Sequence, residues 1–164
     1  MRKMLTIALV ELAAMAVLAR PAASQEVLEG TWKLISSIRT NTATGVSVDN
    51  HGPNPRGFIT YTRDGRLAVL IVRNDRPKPK DTAKITEQER SQLFSSMLAY
   101  AGTYKFDGKT IEHQIELSWN EFWSGTKQIR DVRREGNRLI YTTRPSTSAD
   151  GSITFNTMIW EKVK

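Results

Sequence analysis

Residues 109–119, KTIEHQIELSW, alternate without a break. Ile111, His113, Ile115, Leu117 and Trp119 fall on one side; Thr110, Glu112, Gln114, Glu116 and Ser118 fall on the other. A period of two marks a half-buried strand. The polar set faces water, which places the imidazole of His113 inside among the isoleucines. Similar runs recur along most of the chain. Strands are predicted at Gly30–Arg39, Gly57–Thr62, Arg66–Arg73, Thr103–Phe106, Lys109–Trp119, Thr126–Arg134, Arg138–Arg144 and Ser152–Lys162. Residues 46–56 start extended and pass into a loop punctuated by Gly52, Pro53 and Pro55.

The connections agree with this reading. Arg63-Asp64-Gly65, Asp107-Gly108, Glu135-Gly136-Asn137 and Ser148-Ala149-Asp150-Gly151 carry the turn chemistry of hairpins. Residues 74–85 hold Pro77 and Pro79 among charges, a loop that cannot pair as a central strand. One helix is predicted after it. Thr86-x-x-Glu89 is a capping box, and Leu93, Phe94, Met97, Leu98 and Ala101 recur at helical spacing, an amphipathic stripe expected to pack on a sheet and to stop near Gly102.

Eight or nine short antiparallel strands in sequential hairpins favour an all-β fold. Closure removes exposed edges, so an up-and-down antiparallel barrel fits best and a β-sandwich second. No repeat of fixed period appears, which disfavours a propeller or solenoid.

The N-terminus differs in kind. Arg2 and Lys3 precede a mostly apolar run from Met4 to Leu18, interrupted by Glu11 and followed by ARPAASQE. This reads as a secretory signal peptide over residues 1–24, with Ala22 and Ser24 as the small residues before the cut. A membrane anchor is the poorer reading, because the run is short and carries an acid. The domain is then residues 25–164, exported to the periplasm or beyond, with no membrane span once the leader is removed.

The formal net charge is +7; losing Arg2, Lys3, Arg20 and Glu11, three cations and one anion, leaves +5. The cations are scattered over every strand, and the small cluster at 130–135 is interleaved with acids, so a solvated surface is expected rather than a nucleic-acid partner. There is no cysteine, hence no disulfide framework and no zinc–thiolate site. His51 and His113 show no ligand spacing, and neither a metal nor another cofactor is expected.

The ordered set Gly30-Thr31-Trp32-Lys33-Leu34, Gly52–Thr62, Asp64-Gly65-Arg66, Ala99–Tyr104, His113, Trp123-x-Gly125-Thr126-x-Gln128-x-Arg130 and Ile159-Trp160-Glu161-Lys162 resembles the bacterial and fungal lipocalin-like domain family over residues 29–163. The resemblance implies a barrel and does not fix a ligand. Gln114 departs from it, since relatives often carry a second histidine there.

Opposing Trp119 with Thr126 across the loop at 120–125 sets Leu117 against Gln128, Ile115 against Arg130 and His113 against Val132. Opposed residues share a face, so Gln128 and Arg130 point inward with His113; a slip of one residue would bring in Ile129 and Asp131 instead. The resemblance favours the first register. A buried arginine needs a partner. Either Arg130 pairs internally, with Tyr141 or Glu112, and His113 is a satisfied core residue, or Arg130 awaits an acidic or carbonyl group on a ligand. Trp119 and Trp123 suit the mouth of a pocket or a plain plug. Tyr61, Tyr100 and Tyr104 are candidate inward hydroxyls. Trp32 is expected in the core beneath a basic side chain, Lys162, Arg39 or Arg144.

Three functions follow. The first is a non-enzymatic barrel that holds a small hydrophobic or amphipathic ligand with an acidic or carbonyl end. Leu34, Val69, Ile71, Ile115, Leu117 and Phe155 would line it, and His113, Gln128, Arg130, Trp119, Trp123, Tyr61 and Tyr104 would form its site. The second is an isomerase, hydratase or cyclase with His113 as acid/base. The third is an interaction module with a fully packed interior.

Overall fold

The computed structural model describes residues 28–79 and 81–164; the leader read over residues 1–24 lies outside them. Ten strands form one antiparallel sheet: β1 (Gly30–Asn41), β2 (Ser47–Asp49), β3 (Arg56–Tyr61), β4 (Arg66–Val72), β5 (Met97–Phe106), β6 (Thr110–Ser118), β7 (Lys127–Glu135), β8 (Arg138–Thr143), β9 (Ser146–Thr147) and β10 (Ile153–Lys162). Its order is β2-β1-β3-β4-β5-β6-β7-β8-β10-β9, and β1 also pairs with β10. Eight strands therefore close into a barrel, with β2 and β9 added as short flaps. The all-β up-and-down reading holds.

The two ends differ. Short hairpins at 62–65, 107–109 and 136–137 cap one end, over a core built from Leu28, Trp32, Tyr61, Leu67, Tyr104, Phe106, Ile111, Leu139 and Trp160. Trp32 donates from its indole to the Leu28 carbonyl (2.7 Å), and the Lys162 ammonium lies 4.5 Å over its ring, the basic cover expected from the sequence. At the other end the connections are long: 42–55, 73–96, 119–126 and 144–152. Hairpin chemistry seals one end, and loops with room to diverge frame the other.

The single α-helix among the described residues, α1 (Glu87–Ser95), has the predicted capping box: Thr86 Oγ1 accepts from the Glu89 amide, and Glu89 accepts from the Thr86 amide. The amphipathic stripe is corrected. No residue of α1 is buried, Phe94 is 51% exposed, and Met97, Leu98 and Ala101 belong to β5. In β5 the buried positions are Tyr100, Gly102, Tyr104 and Phe106, a period of two. Short apolar runs satisfy both periods, and here the ladder to β4 and β6 decided between them.

A bulge in β6 corrects the inward set. Gly102 faces Ile115, but Ala101 faces Leu117, so Glu116 is the extra residue and the alternation inverts beyond it. Ile111, His113 and Ile115 are fully buried, whereas Leu117 is 69% exposed on the outer face. Gly102 makes the bulge possible, since a Cβ there would lie 1.9 Å from the Gln114 carbonyl oxygen. Phe155 is likewise moved to the other face: the buried residues of β10 are Thr154, Met158 and Trp160. A second bulge, at Ile35 in β1, resets the register against β10.

Candidate functional site

The β6–β7 hairpin closes earlier than the sequence suggests. The Ile115 amide donates to the Thr126 carbonyl and the Gly125 amide to that of Ile115, both at 2.9 Å. His113 therefore faces Gln128, and Ile111 faces Arg130. This displaces the expected register by four residues and corrects the pairing of His113 with Val132. Four is even, so the faces survive: Arg130 is buried and Gln128 half-buried, on the inner side. The extra length of β6, residues 116–118, continues along β5 alone, and the Trp119 amide follows it by donating to Ala99.

His113 has no exposed surface. Its Nε2 lies 2.8 Å from the Tyr61 hydroxyl; its Nδ1 lies 2.8 Å from the Tyr100 hydroxyl and 3.1 Å from Arg130 Nη1. A guanidinium can only donate. Nδ1 is therefore the unprotonated nitrogen, Tyr100 donates to it as well, and Nε2–H donates to Tyr61. Tyr61 also accepts from the Tyr141 hydroxyl at 2.9 Å. Burial, and secondarily the Arg130 charge, holds the imidazole well below its ordinary pKa. Burial likewise raises the Tyr61, Tyr100 and Tyr141 phenols, so the cluster is a neutral set of rings around one cation.

Arg130 donates through Nη1 to His113 and to the Gln128 carbonyl (3.3 Å). Among the described residues no carboxylate pairs with it. Neither expected internal partner is used: Tyr141 is bonded to Tyr61, and Glu112 pairs with Lys127 at 2.8 Å on the outside.

Above Arg130, at the end framed by the long loops, lies a cup of about 800 Å³. Met97, Leu98, Trp119, Trp123, Pro145 and Met158 give its apolar wall; Gln128, Asn156 and Thr143 are among its polar groups. Its charged lining is one-sided: among the described residues it has Arg73, Lys127, Arg130 and Arg144 and no aspartate or glutamate. Arg73, Lys127 and Arg144 already have carboxylate partners, namely Asp75 (2.8 Å), Glu112 (2.8 Å) and Asp131 (3.3 Å). Arg130 has none.

Trp119 and Trp123 meet edge to face at 5.0 Å, and Trp119 Nε1 donates to the Phe94 carbonyl at 3.1 Å. The pair thus joins the 119–126 loop to α1 at the rim. Of the seven residues singled out in the sequence, Trp119, Trp123, Gln128 and Arg130 line the cup. His113 and Tyr61 stand a layer deeper. Tyr104 sits near the sealed end, its hydroxyl donating to the Thr62 carbonyl (3.1 Å) and its ring 4.7 Å from that of Tyr61. Sequence reasoning left Leu98, Tyr100, Tyr141, Met158 and Trp160 out of the site. Alternation in β8 and β10 marks Tyr141, Met158 and Trp160 as inward; Leu98 was hidden by the helical reading of residues 93–101, and Tyr100 was named as an inward hydroxyl without being placed in the site.

The sequence matches the lipocalin-like domain family over residues 29–163, and the chain belongs to that family. No curated protein sequence matches it. Among solved structures it is similar to a lipoprotein, YedD, from Klebsiella pneumoniae subsp. pneumoniae MGH 78578, with 17% identity and a TM-score of 0.37 over 84% of this chain and 72% of that one.

Proposed function

We propose that the barrel binds a small, largely apolar molecule in its cup and grips it by an acidic or carbonyl end. One observation carries this reading: Arg130, 6% exposed, stands at the cup floor without a carboxylate partner. A desolvated guanidinium gains most from a ligand acid, because charge-assisted hydrogen bonds strengthen as water is excluded. The remaining cations of the lining, each already paired with a carboxylate, leave Arg130 as the group that attracts an anion. The tryptophan pair and the Met97–Leu98–Met158 wall offer burial at about 25 cal/mol per Å² of apolar surface. A cup of this size, apolar with a few convergent polar groups, has the usual character of a small-molecule site.

In this reading His113 is a positioning residue. It does not line the cup; it fixes one arm of Arg130 and leaves the other nitrogens for the ligand. The leader over residues 1–24 supports work outside the cytoplasm, tested by mass measurement of the mature N-terminus from the native host.

The binding test is a titration of the protein with dodecanoic acid and with dodecan-1-ol, followed by the fluorescence of Trp119 and Trp123. Saturable binding of the acid, at least tenfold tighter than the alcohol, is expected. Equal affinity for both, or none for either, contradicts the proposal.

A further inference from the structure

A second chamber, of about 20 Å³, lies directly beneath the cup floor. Leu98, Arg130 and Met158 line both spaces and form the boundary between them. The walls of the lower one are mostly apolar, with Ile59, Val69 and Ile71 among them; Tyr100, His113, Arg130, Tyr141 and Trp160 supply its polar groups. Its volume suits one water-sized group and nothing larger.

The chemistry of that group can be read from what its neighbours leave unused. Trp160 is 1% exposed, and its Nε1 has no hydrogen-bond partner. The indoles of Trp32 and Trp119, by contrast, each donate to a carbonyl. Buried donors without partners are rare. Of the nearby acceptors, His113 Nδ1 receives Tyr100 and Arg130, and the Tyr61 oxygen receives His113 and Tyr141, while the Tyr100 and Tyr141 hydroxyls donate and keep lone pairs of their own. The chamber is thus lined by a residue with an unpartnered donor and by a cation. An acceptor atom seated there would meet both.

We propose that this chamber seats one oxygen of the ligand's carboxylate, which accepts from Trp160 Nε1–H, while the other oxygen rests on Arg130 at the cup floor. The inference rests on the acid-binding reading above and adds a specificity determinant to it. The head group must be small and planar enough to pass one oxygen between Leu98, Arg130 and Met158, which makes a monocarboxylate the ligand class.

The experiment uses ¹⁵N-labelled protein titrated with dodecanoic acid. The indole N–H signal of Trp160, assigned through its own backbone resonances, should move downfield on saturation, while that of Trp32 stays in place. Trp160→Phe keeps the ring and removes the donor, and should weaken dodecanoic acid binding about tenfold or more. Saturable binding with the Trp160 signal unmoved overturns the proposal while leaving the acid-binding reading intact: the carboxylate then stops at Arg130 and the chamber holds only a water. Unchanged affinity in Trp160→Phe would say the same. If dodecanoic acid fails to bind the unaltered protein, both readings fall together.

Discussion

The Nη1 of Arg130 lies 3.1 Å from the Nδ1 of His113, inside a closed barrel. That contact settles the state of the imidazole. A protonated ring would present a second N–H to a guanidinium that has only N–H groups of its own, so the ring stays neutral with its proton on Nε2. The same contact pins the arginine. Histidine and arginine here act as a unit, one holding and the other held.

Removing the holder should cost stability. His113→Ala leaves Tyr61, Tyr100 and one arm of Arg130 without their partner and opens a cavity in the core. A loss of about 2–4 kcal/mol is expected in urea unfolding. A loss below about 1 kcal/mol would mean that the cluster is not coupled as described.

The neutral histidine also sets a pH dependence. Its native pKa lies well below the ordinary 6.5, chiefly through burial. Below pH 6.5 the unfolded chain takes up a proton that the native state refuses, so stability present above that value is lost as the pH falls. The slope reaches about 1.4 kcal/mol per pH unit for one such group. His51 is shifted the same way, by burial and then by Arg73. Urea midpoints of His51→Asn between pH 7 and 5 therefore isolate the share of His113. A flat profile in that variant contradicts a neutral His113.

The bulge in β6 makes opposite predictions for neighbouring apolar residues. Leu117→Asp, on the outer face, should change stability by less than about 0.5 kcal/mol. Ile115→Asp, two positions earlier and fully buried, should abolish cooperative unfolding. Similar effects at both positions would restore the unbroken alternation that the bulge replaces.

Gly102→Ala tests the backbone that permits this bulge. A methyl group there meets the Gln114 carbonyl, a rigid neighbour, so β5 and β6 must separate locally. A destabilisation of about 3 kcal/mol or more is expected in thermal or urea unfolding. A neutral substitution would show that the strands approach less closely.

Much of this was legible in the chain. Strict alternation at 109–115 placed Ile111, His113 and Ile115 correctly, and turn residues at 63–65, 107–108 and 135–137 marked the sealed end. What failed did so for local reasons. The run from Leu93 to Ala101 fits periods of both 3.6 and 2, and pairing with strands distant in sequence decided it. The register of β6 on β7 depends on where a ten-residue excursion closes, which no residue between Glu116 and Gly125 announces. Its parity was recoverable because an even displacement leaves every face unchanged. Arg130 was visible as an inward cation, but the lack of a carboxylate beside it is a fact of assembly.

The account stands on Arg130 as the group that recognises an acid. The most direct measurement is the ratio of dodecan-1-ol to dodecanoic acid dissociation constants, taken by calorimetry in the unaltered protein and in Arg130→Met, with unfolding curves confirming that both are folded. The account predicts a ratio of at least ten in the former, falling to about one in the latter as acid affinity drops and alcohol affinity holds. An undiminished ratio in Arg130→Met would place acid recognition elsewhere and contradict it.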